Sequence, residues 1–151
     1  MDAPTYLEQF VDPAIADFEK CPHSRRHACH ACLVTFHTLD YIWYPKKTGS
    51  RRNDFRKESN AFAIVDRVAH AFKHVKTGDD KNKHNRHLLV EHVYSRPQAM
   101  CGAMQCGNSR LGDRIGGVAL WGEDNSDLLP AVREAVEFLR TKCKNRAGDV
   151  R

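Results

Sequence analysis

The stretch FRKESNAFAIVDRVAHAFKHV, residues 55–75, decides the fold. Its apolar residues recur at spacings of three, four and seven, which is the period of one face of an α-helix. These residues are Phe55, Phe62, Val65, Val68, Phe72 and Val75. Helix-forming residues begin near Arg52, and Gly78 follows at a position where helices commonly end in a left-handed residue. The pattern predicts one long helix that buries this face.

Helices are also predicted before this segment. A helix from Ser24 to Tyr44 is stopped by Pro45, because the residue before a proline disfavours helical geometry. Its apolar stripe is Leu33, Phe36, Leu39 or Asp40, and Trp43. Over residues 5–20 the sequence predicts two short helices or one kinked helix, which begin at a capping box of Thr5 and Glu8.

A last helix is predicted over residues 127–145, with Asn125 or Ser126 as its cap and Pro130 in its first turn. Its buried edge is Leu129, Val132, Val136, Leu139 and Cys143. Between the long helix and this one, residues 87–95 alternate as a strand does, and residues 114–121 are suited to a second strand. Residues 96–114 carry Pro and three Gly and read as a long loop.

The sum is a single, mainly α domain over residues 1–151. We expect a bundle of four to five helices with an inserted β-hairpin or irregular loop over residues 79–125. Hydrophobic residues at 41% and charged residues at 28% are ordinary for a globular protein. No apolar run approaches the roughly 20 residues that span a bilayer, and no secretion signal opens the chain. These features predict a cytosolic protein without membrane contact, whose six cysteines are free thiols.

The chain carries a formal net charge of +5, and its charges are unevenly distributed. Residues 1–19 hold five acids and no Lys or Arg, whereas residues 46–57, KKTGSRRNDFRK, hold six basic residues and one Asp. A polyanion is attracted to such a cluster, so we expect nucleic acid to bind there. The predicted contacts are Lys46, Lys47, Arg51, Arg52, Arg56 and Lys57. The alternative is an ordinary solvated face.

Histidine and cysteine are concentrated in HSRRHACHACLVTFH, residues 23–37. On a helix the histidines share one face, and Cys29 and Cys32 lie on another. His70 and His74 are four residues apart on the long helix, so an antiparallel partner helix would bring them to that face. A site for zinc or another transition metal is then predicted from His23, His27, His30, His70 and His74. The alternative is a polar helix flank with Cys29 and Cys32 as small packing residues.

Three pairs in the chain consist of an Arg and a His with four to six residues between them: Arg25 with His30, Arg67 with His74, and Arg86 with His92. A small, basic bundle of four to five helices with such a pair resembles the HEPN superfamily (higher eukaryotes and prokaryotes nucleotide-binding). Many of its members are RNA-cleaving toxins or defence proteins. In active members the pair lines a dimer cleft, where the Arg steadies phosphate charge and the His moves a proton.

Under this resemblance the catalytic candidates are Arg67 and His74, because they lie on one side of the best-defined helix. The chain departs from the family in two respects. Val68 follows Arg67, where active members tend to carry a polar residue, and the place of the motif in the chain also differs. Family members place the motif at the start of a late helix, and residues 127–145 contain no histidine.

The sequence therefore predicts a bacterial cytosolic protein, HEPN-like in build, that acts as a non-enzymatic interaction or nucleic-acid-associated module. We expect it to need no cofactor, to form a homodimer, and to bind RNA, DNA or a protein partner. Two alternatives stay open. One is a metal-independent, RNA-cleaving toxin of a toxin–antitoxin pair, and the other is a His/Cys metal-binding protein.

Overall fold

The computed structural model describes residues 1–46, 48–74, 76–77, 88–102, 104, 116–121 and 127–148. The chain is mostly helical with short antiparallel strand pairs, which confirms the predicted fold class. The helices are α1 (Ala3–Tyr6), a π-helical turn (Leu7–Val11), α2 (Asp12–Lys20), α3 (Arg25–Trp43), α4 (Gly49–Glu58), α5 (Asn60–His74) and α6 (Leu128–Gly148). Among the described residues, no helix combines the length and the apolar character needed to cross a bilayer.

The first helices follow one another through the π-helical turn, which is closer to the kinked alternative than to two separate helices. The predicted capping box is wrong. Asp2 caps α1, since its carboxylate accepts a hydrogen bond from the Thr5 backbone N–H at 2.9 Å. Thr5 itself lies inside the helix, so the observed cap lies three residues before the predicted one.

Helix α3 confirms its predicted bounds, with Ser24 as the cap and Tyr44 after its last residue. Its buried side differs from the predicted stripe. Leu33, Phe36 and Trp43 are only partly buried, whereas the buried residues are Ala28, Ala31, Cys32, Thr35, Thr38, Leu39 and Ile42. The two stripes differ by one residue, or about 100° around the helix. The rotation arises because α3 packs against α2, α5 and α6 at once, and small residues allow that close approach.

The single long helix predicted from Arg52 onward is instead two helices, α4 and α5. They are separated at Ser59, whose backbone is extended (φ −136°, ψ 114°). The Ser59 hydroxyl accepts a hydrogen bond from the Phe62 backbone N–H at 3.1 Å, so it caps α5. A serine cap satisfies a backbone donor that a continuous helix would have satisfied internally. The predicted end at Gly78 lies outside the described residues, which show α5 ending at His74.

The predicted hairpin is confirmed by two antiparallel strands, β3 (Val93–Arg96) and β4 (Gly117–Leu120), with Val93 opposite Leu120. The earlier half of the predicted first strand differs. Leu88–Leu89 (β2) pairs instead with Lys76–Thr77 (β1), and a 3₁₀ turn, Val90–His92, separates it from β3. Gly116 precedes β4 with a φ of 68°, and a Cβ there would lie 2.4 Å from the Arg96 carbonyl oxygen. Most of the predicted loop over residues 96–114 lies outside the described part.

The core is enclosed by α3, α5 and α6, with α2 and the hairpin closing its sides. Its largest fully buried side chains include Phe18, Phe62, Leu39, Val65, Leu128 and Leu139. On α6, Val132, Val136 and Leu139 are buried as predicted, while Leu129 and Cys143 are partly buried. Cys32 is buried, and burial raises the pKa of its thiol well above the usual value. All five cysteines of the described part are free, as predicted.

Helix α4 is held to α5 by a buried carboxylate. Asp66 of α5 is fully buried, and the Nε of Arg52 donates to its Oδ1 at 2.7 Å, while the Nε of Arg56 donates to its Oδ2. Burial lowers the pKa of Arg56, and the charge of Asp66 acts in the opposite direction. The apolar anchor of α4 is Phe55, whose ring lies 5.2 Å from that of Phe138. These two ion pairs, the ring of Phe55 and a further ion pair from Glu58 to Lys142 of α6 therefore fix the position of α4.

We expect Asp66→Asn to lower the free energy of unfolding by about 3–5 kcal/mol, because it leaves the buried Arg56 charge without its counter-ion. Urea denaturation followed by circular dichroism measures this change. The matched control is Asp54→Asn, which removes a half-exposed ion pair to Arg51 and should cost less than about 1 kcal/mol. Equal losses in the two variants would contradict a special role for Asp66.

Candidate functional site

The six basic residues predicted to contact nucleic acid separate into two groups in the structure. Arg52 and Arg56 face inward and are both paired with the one carboxylate of Asp66. Lys46, Arg51 and Lys57 are exposed, and Lys47 lies outside the described residues. The cluster visible in the sequence is therefore partly a structural element of the fold, and only its outer members are available to a ligand.

Two guanidinium groups lie over the same aromatic ring, that of Trp43. The guanidinium carbon of Arg51 lies 4.8 Å from the ring centre, and that of Arg146 lies 4.7 Å from it. The backbone N–H of Lys46 donates to the Trp43 carbonyl at 2.7 Å, so the main chain of a third basic residue lies close by. We call Trp43, Lys46, Arg51 and Arg146 the basic corner. It is formed by the end of α3, the first turn of α4 and the last turns of α6.

The cations of the basic corner are weakly neutralised. The ion pair that Arg51 forms with Asp54 is long, at 3.7 Å, and both side chains are about half exposed. Among the described residues, the partly buried Arg146 has no carboxylate partner, and its Nη1 and the Nε1 of Trp43 are buried without a hydrogen-bond acceptor. Stacking on an aromatic face positions a cation without cancelling its charge. The corner therefore retains positive charge for an anionic ligand.

An exposed aromatic ring adjoins the basic corner. Tyr44 follows Trp43 directly, and 80% of its surface is accessible to solvent. Unpaired nucleic acid bases stack on such rings, because every base has a π-face. A positively charged corner next to an exposed ring is thus suited to a single strand.

Sequence reasoning missed Arg146 and Trp43 as members of this site. Arg146 was visible only as one of several basic residues near the C-terminus, and Trp43 was assigned to the core stripe of α3. The two are 103 positions apart in the chain, and no local pattern connects them. Only the packing of α6 beside the end of α3 brings them together.

The predicted histidine stripe lies mainly on an accessible flank of α3. His30 is exposed, and His27 is partly buried beside Arg26. His23 precedes the helix, and its Nδ1 lies 3.3 Å from the Arg96 carbonyl oxygen of β3. These three histidines thus have different surroundings.

His70 and His74 lie on α5, with ring centres 5.9 Å apart. The Nδ1 of His70 lies 3.1 Å from the Asp66 carbonyl oxygen, and its ring packs edge-on against Phe36 at 4.9 Å. His70 therefore adjoins the ion-pair cluster that holds α4. Within the described part of the chain, no three His, Cys, Asp or Glu side chains are grouped closely enough to bind a metal ion. Metal binding by the five histidines stays a prediction, and this arrangement does not favour it.

The predicted catalytic pair, Arg67 and His74, lies on one helix. Seven residues of α-helix correspond to about 10 Å along the axis, so the two side chains start two turns apart. His74 is exposed and Arg67 is partly buried. RNA cleavage by this pair stays a prediction.

No protein-family profile, curated protein or solved structure was found to match this chain. The HEPN resemblance therefore stays a prediction, as do the homodimer and the protein partner. The functional interpretation depends on the geometry of the site itself.

We expect His70 to make the fold sensitive to acid. Burial lowers the pKa of His70 below 6.5, and the positive charge of Arg52 contributes. Folding therefore favours the neutral ring, and its contribution to stability is present above pH 6.5 and is lost as the pH falls through the lowered pKa. His70→Gln, neutral at every pH, should lose less stability than the wild type between neutral pH and pH 5.

Urea denaturation at several pH values measures this difference. His30→Gln is the matched control, since it removes an exposed histidine from α3. Its unfolding curves should retain the acid dependence of the wild type. If His70→Gln retained that dependence as well, the assignment to His70 would be wrong.

Proposed function

We propose that the protein is a non-enzymatic binder of single-stranded nucleic acid, whose phosphates are held by the basic corner. The observation that carries the proposal is the position of Arg51 and Arg146 over Trp43, at 4.8 and 4.7 Å from its ring centre. Both cations are positioned by the ring, and neither is strongly paired with a carboxylate of the described residues.

The surroundings of the corner support this function. Lys46 is exposed, as Arg51 is, Lys57 is exposed on the same helix as Arg51, and the whole chain carries a charge of +5. Such clusters attract phosphates whatever the base sequence of the nucleic acid. This attraction gives affinity for the strand and requires no catalytic group. Tyr44 beside the corner favours a single strand over a duplex, because the bases of a duplex are already stacked on each other.

The test is the salt dependence of binding. Fluorescence anisotropy of a labelled oligouridine should show an affinity that falls steeply between about 50 and 200 mM salt. The double variant Arg51→Gln, Arg146→Gln should bind more weakly. The slope of log affinity against log salt should also become shallower by about 1.4, since each lost phosphate contact on a single strand contributes about 0.7.

The matched control removes the same charge elsewhere. Arg26 and Arg133 are exposed, and Arg133 pairs with Glu19 on the surface, so Arg26→Gln, Arg133→Gln lowers the net charge equally without touching the corner. This control should keep a slope close to that of the wild type. Flat binding across the salt range, or an equal effect of both double variants, would count against the proposal.

A further inference from the structure

A groove lined by tyrosines adjoins the basic corner. Its volume is about 700 Å³, and it is lined by Met1, Tyr6, His37, Asp40, Tyr41 and Tyr44. Tyr6 and Tyr41 are stacked with ring centres 4.0 Å apart, and Phe10 covers the stack from the other side of Tyr6. Burial raises the pKa of Tyr6 to about 12, and neighbouring Tyr41 and Asp40 contribute. The wall is therefore a rigid aromatic surface whose phenol stays protonated.

A fixed carboxylate lies in the groove. The Nδ1 of His37 lies 2.9 Å from Oδ2 of Asp40, and the Thr48 hydroxyl donates to Oδ1 at 3.3 Å. These contacts hold the carboxylate from both sides. Each carboxylate oxygen has a second lone-pair site, so both oxygens can still accept a hydrogen bond from a ligand. Asp40 is about half exposed, which leaves it within reach of that ligand.

The groove meets the basic corner at consecutive residues. Trp43 belongs to the corner and Tyr44 to the groove, and adjacent Cα atoms are about 3.8 Å apart. A ligand that spans both must therefore carry an anionic group beside a flat, aromatic group with hydrogen-bond donors. A nucleotide has both parts, since its phosphate is anionic and its base is planar.

The carboxylate selects among the bases. Guanine presents two adjacent donors, its ring N–H and its amino group, and these match the two oxygens of one carboxylate. Uracil presents one N–H between two carbonyl oxygens, and those oxygens are repelled by a carboxylate. Paired donor and acceptor patterns of this kind give base discrimination that a stacking surface alone does not.

We propose that the tyrosine groove binds one unpaired guanine of the strand whose phosphates lie at the basic corner. The guanine ring stacks on the tyrosine surface, with Tyr44 as its most exposed edge, and the guanine donors pair with Asp40. This inference rests on the proposed function for the strand, but the base contact is chemically separate from the phosphate contacts. It makes the protein selective for a base as well as for a polyanion.

The test compares a labelled oligouridine with the same strand carrying one central guanosine. The wild type should bind the guanosine strand about tenfold more tightly, as expected for one bidentate pair. Asp40→Asn should abolish this preference, because the amide offers guanine one acceptor oxygen in place of two. Tyr44→Ala should weaken both strands, and its 80% exposure means that the substitution removes little packing.

Asp17→Asn is the matched control, because it removes an exposed carboxylate from α2. It should keep the guanosine preference. Equal affinities of the wild type for the two strands, or an undiminished preference in Asp40→Asn, would overturn the groove assignment.

The two proposals fail in different ways. Tight, salt-dependent binding of oligouridine without a guanosine preference overturns the groove and leaves the proposed function standing. If oligouridine does not bind at all, titration with guanosine and uridine 5′-monophosphates tests the groove alone. Preferential binding of guanosine monophosphate that depends on Asp40 then supports the groove, and equal binding of the two nucleotides overturns it.

Discussion

The structure around the candidate site depends on one buried carboxylate, that of Asp66. Helix α4 buries only Phe55 and Arg56, so it has little apolar surface with which to hold itself in place. The ion pairs from Arg52 and Arg56 to Asp66, with a more exposed one from Glu58 to Lys142 of α6, supply the remaining attachment. They also set the rotation of α4. Once Arg52 is directed inward, the preceding residue lies about 100° around the helix, and Arg51 comes to lie over Trp43.

The arginines of one short segment thus have opposite roles. Arg52 and Arg56 share the buried carboxylate of Asp66 and define where α4 lies, whereas Arg51 has only a long, half-exposed ion pair and faces a potential ligand. Net charge does not separate these roles, since each residue counts as one positive charge. The difference is whether the guanidinium meets a buried carboxylate or an aromatic ring. A guanidinium that is stacked on a ring still attracts phosphate, whereas one that is paired with a buried carboxylate does so much less.

Local patterns predicted the elements of this chain better than they predicted its site. The caps and the Pro45 stop fixed α3 to within a residue, because those signals act through neighbouring backbone groups. The buried side of α3 was misjudged by one residue, since it is set by the three helices packed around it. The break at Ser59 was not predicted, because the apolar period continues across it and the serine cap appears only in the structure. Arg146 reaches the site only through tertiary packing, which spacing in the sequence does not report.

The basic corner holds two positive charges close together, and their repulsion can be compared with the cation–π attraction that each makes with Trp43. The guanidinium carbons lie 4.8 and 4.7 Å from one ring centre and are therefore at most 9.5 Å apart. At that separation two unit charges repel by about 0.4 kcal/mol in bulk water and by about 2 kcal/mol at the effective dielectric of a protein surface. Two exposed cation–π contacts, at about 0.5–1 kcal/mol each, offset a repulsion of this size but do not exceed it greatly. A phosphate beside both groups adds two attractions of similar magnitude. With the phosphate bound, attraction therefore exceeds the repulsion between the two guanidinium groups by a clear margin, which is not the case in the free protein.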